Sequence, residues 1–120
     1  MKAIKIDVVN QTITEIELAP GIDAIYQELD CNLFTCISPI GFPPGDAIYI
    51  DDEGLLRDPV IGAFSVRGYP QVLSGHGLII GTDSEGESIS CKCILESIKK
   101  AIRFEDPHYL PEPGFKIIHF

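Results

Sequence analysis

Apolar and polar positions alternate from the start of the chain. In KAIKIDV (2–8), Ala3, Lys5 and Asp7 stand against Ile4, Ile6 and Val8, the period-two pattern of a strand. After a turn at Asn10-Gln11, TITEIEL (12–18) alternates again, with Ile13, Ile16 and Leu18 apolar but one step out of register. The two runs predict an opening β-hairpin, with a bulge in its second strand. Pro20-Gly21 breaks the strand, and Ile22, Ile25, Tyr26 and Leu29 then follow at i, i+3, i+4 and i+7, one face of a helix over 22–29.

LFTCIS (33–38) predicts a third strand, and the prolines of PIGFPPG make a stiff connector. DAIYID (46–51) predicts a fourth strand, turned by Asp52-Glu53-Gly54, with Leu55-Leu56 starting the return. GAFSVR (62–67), GLIIGT (77–82) and SISC (88–91) predict further strands, with DSEGE as a turn between the last two. Ser90 then caps a predicted helix over 92–103, lined by Ile94, Leu95, Ile98, Ala101 and Ile102, with Lys99, Lys100 and Arg103 in its last turn. The expected architecture is α+β: a mostly antiparallel sheet with two short helices packed on it. Residues 1–104 form the single domain, and 105–120 a proline-broken extension whose FKIIHF segment is expected to add an edge strand or cross to a second protomer as a homodimer arm.

Composition narrows the function classes. At 120 residues and 45% hydrophobic, the chain is long and apolar enough for one core without metals or disulfides. No apolar run approaches a membrane span, and Lys5 and Asp7 interrupt any signal-peptide core, so the expected compartment is cytoplasm, that of the host if the gene is viral. A formal charge of −9 argues against direct nucleic-acid binding and leaves open an acidic inhibitor or DNA mimic directed at a basic host protein. The cysteine spacings, C-x4-C at Cys31/Cys36 and C-x-C at Cys91/Cys93, are poor matches to zinc sites, so no metal is expected. Cys36 is expected to be a core cysteine.

The segment GYPQVLSGHGLIIG (68–81) concentrates the candidate chemistry. Gly75, Gly77 and Gly81 miss the dinucleotide fingerprint by one position and run into a strand rather than a helix, so no dinucleotide cofactor is expected, nor any other. The acidic turns at 51–54 and 83–87 lack the alternating ligands of a calcium loop and are expected to be hairpin turns. His76, flanked by glycines, is expected in an open loop with a pKa near neutrality, available to a ligand or, in a small hydrolase, as a base. Arg67 offers a planar fork for phosphate or carboxylate, Tyr69 a stacking face and Gln71 a readable amide. The candidate ligand-binding set is therefore Arg67, Tyr69, Gln71, Gly75, His76 and Gly77. No catalytic residue is assigned.

Several segments in order, MKAIKID, QTITEIEL, DAIYQELDC, GDAIYIDDEGLL and RGYPQVLSGHGLIIGTDSEGES, resemble a family of small acidic proteins of unknown function encoded by bacteriophages, plasmids and bacteria carrying mobile elements. The resemblance covers about residues 1–104 and carries no activity. It implies a mobile-element protein that works by binding. The expectation is a non-enzymatic protein that sequesters a small anionic, nucleotide-like ligand in counter-defence, with acidic mimicry and a small hydrolase as the alternatives.

Overall fold

The computed structural model describes residues 1–53 and 61–105. Their order is β1 (Lys2–Asp7), β2 (Thr12–Glu17), α1 (Ile22–Leu29), β3 (Phe34–Ile37), β4 (Ala47–Asp51), β5 (Ala63–Val66), β6 (Leu73–Ser74), β7 (Gly77–Thr82), β8 (Ser88–Ile89), α2 (Leu95–Ala101) and β9 (Ile102–Glu105). The predicted return at Leu55-Leu56 and the FKIIHF segment lie outside the described residues.

The larger sheet runs β2-β1-β7-β4-β3, with β8 paired to β7, and a second sheet runs β6-β5-β9. Among the described residues every pairing is antiparallel. The fold is α+β, with two helices against mostly antiparallel sheet, as the periodicities predict.

β7 lies at the centre of the larger sheet, which explains its unbroken apolar sequence. Leu78 and Ile80 join Ala3, Leu18, Ile25 and Leu29 in a core beneath α1. Ile79 joins Ile4, Ile6, Ile48 and Ile50 in a second core, closed by Phe64 and Val66 of β5 and by Ile98 of α2. The larger sheet is thus covered on both faces. This arrangement also accounts for the register step in β2. The β1–β2 ladder is continuous from Lys2↔Glu17 to Asp7↔Thr12, so the expected bulge is not formed. Ile13 packs toward one core and Ile16 toward the other. Both faces of this edge strand find apolar neighbours, and the pattern needs no inserted residue.

The helix expected over 92–103 is shorter at both ends. Ser90 does not cap it; its hydroxyl accepts the Lys2 N–H at 2.8 Å. The next residues are held extended because Cys91 N–H donates to the Lys2 carbonyl at 3.0 Å, and the N–H groups of Lys92 and Cys93 donate to the Asp46 carboxylate. Helix begins only at Leu95. At the other end Ile102–Glu105 becomes a strand, pairing Val66↔Ile102 through Ala63↔Glu105. Arg103 therefore stands on β9 rather than in a last helical turn.

Candidate functional site

Asp46 organises the region around the main candidate cavity. It is only 2% exposed, and its two oxygens take N–H groups from Lys92 at 3.0 and 2.8 Å and from Cys93 at 2.7 Å. Charge-assisted bonds of this kind are among the stronger ones in proteins. They tie the start of β4 to the segment entering α2. Burial first, and then the hydrogen bond to Asp46, push the Cys93 thiol up to about 12. Cys93 is therefore a neutral thiol at physiological pH, not a nucleophile.

Across from this segment, Gly68 holds the stiff connector. Its carbonyl accepts the Ile40 N–H at 3.1 Å, and at φ +91° a side chain there would run into the Ile40 backbone. The preceding residue is fixed by a bond from Arg67 N–H to the Ala101 carbonyl at 2.9 Å. Together these contacts bring the connector, the end of β5 and α2 around one cavity of about 330 Å³. Its walls are largely apolar, from Ile40, Phe42, Ile94, Ile98 and Ala101, and its charged groups are Arg67 and Lys92. Lys92 Nζ lies 3.5 Å from the Pro44 carbonyl. Among the described residues, neither cation faces a carboxylate within ion-pair distance; the ion pairs there engage the N-terminus, Lys5, His76 and Arg103.

The six sequence candidates do not share this cavity. Arg67 lines it. Tyr69 and Gln71 line another, of about 300 Å³, together with Thr35, Asp51, Asp52 and Ser74. A bond from Tyr69 N–H to the Val66 carbonyl at 3.2 Å closes the turn that leads from one to the other. Arg67 and the Tyr69 ring therefore look into separate spaces.

His76 is neither open nor solvated. Its side chain is 11% exposed, its Nδ1 accepts the Val8 N–H at 3.2 Å, and Asp7 Oδ1 lies 3.6 Å away. Burial lowers its pKa below 6.5, against the opposing pull of Asp7. Burial works against the Asp7 carboxylate too, but hydrogen bonds from Asn10 and Val9 and the nearby His76 hold its pKa below 3.8. A ring whose Nδ1 is engaged by a backbone N–H is a strut for the β1–β2 turn, not a poised base. The flanking glycines serve packing. Gly77 begins β7 with the Phe64 ring over it, leaving no room for a Cβ, and Gly75, at φ +89°, donates its N–H to the Gly62 carbonyl at 2.9 Å.

Two further expectations are corrected or sharpened. Cys36 is exposed, and the buried cysteines are Cys91 and Cys93; Cys36 lies on β3, the edge strand of the larger sheet, where Thr35 is exposed as well. The acidic segment 83–87 is a hairpin turn, with Asp83 Oδ1 accepting the N–H groups of Glu85 and Glu87, both at 2.9 Å, and Gly86 at φ +84°. Among the described residues no three His, Cys, Asp or Glu side chains converge to hold a metal ion. No helix there is long and apolar enough to cross a membrane.

Lys92 was missed from the sequence. Its partner in the cavity, Arg67, lies twenty-five positions away, and only the fold of α2 against the connector brings the two together.

A profile of a domain of unknown function, DUF3846, matches residues 1–103. The chain belongs to that family. No curated protein and no solved structure matches it. The DUF3846 match ends within β9, so the fold described above is essentially that of the domain itself.

Proposed function

We propose that this DUF3846 protein is a non-enzymatic binding protein that holds a small anionic ligand in the cavity between the connector, β5 and α2. The observation that carries the reading is the pairing of Arg67 and Lys92 on an otherwise apolar cavity in a chain of net charge −9. Both cations line one cavity in a chain whose carboxylates outnumber its basic residues twofold, and small-ligand sites typically combine apolar walls with a few placed polar groups. Arg67 would take a carboxylate or phosphate through its fork, and Lys92 would add a mobile point charge.

Binding rather than catalysis is favoured because the cavity pairs no nucleophile with a base. Cys93 is held protonated, and His76 is engaged elsewhere. Mobile-element origin, action in the cytoplasm of the host and sequestration of a nucleotide-like defence signal belong to the same proposal, carried by the resemblance alone. The acidic-mimic alternative rests on net charge.

Thermal-shift titration with nucleotides, simple phosphates and organic carboxylates tests the reading. A ligand of this class raises the melting temperature of the wild type and leaves Arg67→Ala unshifted. A flat response to every anion contradicts it.

A further inference from the structure

The walls and rim of the Arg67–Lys92 cavity bear on what kind of anion fits it. Ile40 and Ile94, which flank it, are 86% and 65% exposed, among the most exposed large apolar side chains of the described residues. Both line the cavity, one from the connector and one from immediately before α2, together with Phe42, Ile98 and Ala101. Exposed apolar residues scattered singly need no explanation, but two that line one cavity do. Apart from the two cations, the polar side chains of the lining are the Ser97 hydroxyl and the Cys93 thiol, and burial beside the Asp46 carboxylate keeps that thiol protonated.

This inventory is ill suited to a ribose or a base. A nucleoside brings several hydroxyl and ring-nitrogen groups that would be desolvated against isoleucine and phenylalanine with one serine to answer them, and unpaired buried polar groups are costly. It suits a ligand that is charged at one end and apolar over the rest. We infer that the ligand is an amphipathic acid, a medium-chain or aryl carboxylate or phosphate monoester, whose head group lies between Arg67 and Lys92 and whose body packs against Phe42, Ile98 and the two rim isoleucines. The inference rests on the anion-binding reading but departs from its nucleotide-like ligand: the apolar body supplies affinity by burial, and the two cations select the sign of the head group.

The test compares octanoate, octanol, octylamine and adenosine monophosphate by isothermal titration calorimetry on the full chain, with Arg67→Ala, Lys92→Ala and Ser97→Phe as variants. Ser97 is exposed on α2, so phenylalanine there narrows the cavity without removing a charge. Octanoate is expected to bind at least tenfold more tightly than octanol, octylamine or the nucleotide. Either alanine variant is expected to lose about tenfold, and Ser97→Phe to weaken octanoate with both cations still present. Adenosine monophosphate binding more tightly than octanoate, in an Arg67-dependent way, would overturn the ligand class while leaving the anion site intact. Octanol binding as tightly as octanoate, with no effect of the alanine variants, would overturn both; no binding by any of the four would overturn the amphipathic-acid inference, and the wider anion titration above then decides the site itself.

Discussion

His76 shows how much a single side chain's setting decides. From sequence, a histidine between two glycines reads as an open ring. The fold instead lays Gly77 under Phe64 and carries the ring onto the β1–β2 turn, where it accepts the Val8 N–H. Nothing local in GHG records that contact, because its partner lies 68 positions away. The sign of the pH effect follows from burial. The folded state holds His76 below 6.5, so the unfolded chain binds the proton first. The stabilisation is therefore complete above about pH 6.5 and is lost as pH falls toward the folded pKa. Urea unfolding measured across pH 5–8 should show stability falling with acidification through that window, and His76→Ala should flatten this slope. The same variant should cost about 1–3 kcal/mol at pH 8, since it strands the Val8 N–H.

At the level of elements, strong periodicity was readable and long-range ties were not. The segments 22–29 and 77–82 coincide with α1 and β7, where a helical apolar face and an unbroken apolar run leave little choice. The approach to α2 was misread because its propensity is overridden by Asp46, a residue from the other half of the chain. Asp46→Ala should leave the Lys92 and Cys93 N–H groups without their acceptor. With up to two charge-assisted bonds lost, roughly 2–5 kcal/mol of stability should disappear, read as a lower urea midpoint. Gly68 acts on the opposite wall. Gly68→Ala combines a disfavoured positive φ with a clash against the Ile40 backbone, so about 1–3 kcal/mol of destabilisation is expected. Because the connector must shift, anion affinity should fall in the same variant. Gly86→Ala is the control: its φ is also positive, at +84°, but its added Cβ meets open space. It should be strained without altering binding.

Over the whole molecule, two cores on either side of one antiparallel sheet leave the periphery to create function. Fold class was accessible from period-two runs and two short helices. The site was accessible only in part: Arg67 was singled out for its chemistry, but Tyr69, Gln71 and His76 were grouped with it by proximity in sequence, and the fold sends them elsewhere. Lys92 carried no sequence signal, since a lysine in the first turn of the predicted 92–103 helix looks like any solvated charge. On the proposed reading the net charge of −9 gives the pair its meaning, because the two groups would have to overcome long-range repulsion of anions locally. The most direct test of that claim uses 1-anilinonaphthalene-8-sulfonate, an anion with an aromatic body, titrated by fluorescence against the wild type and the Arg67→Ala/Lys92→Ala double variant at low salt. Binding to the wild type, weakened more than tenfold in a double variant whose unfolding midpoint is unchanged, is the predicted result; equal affinity for the two proteins would contradict it.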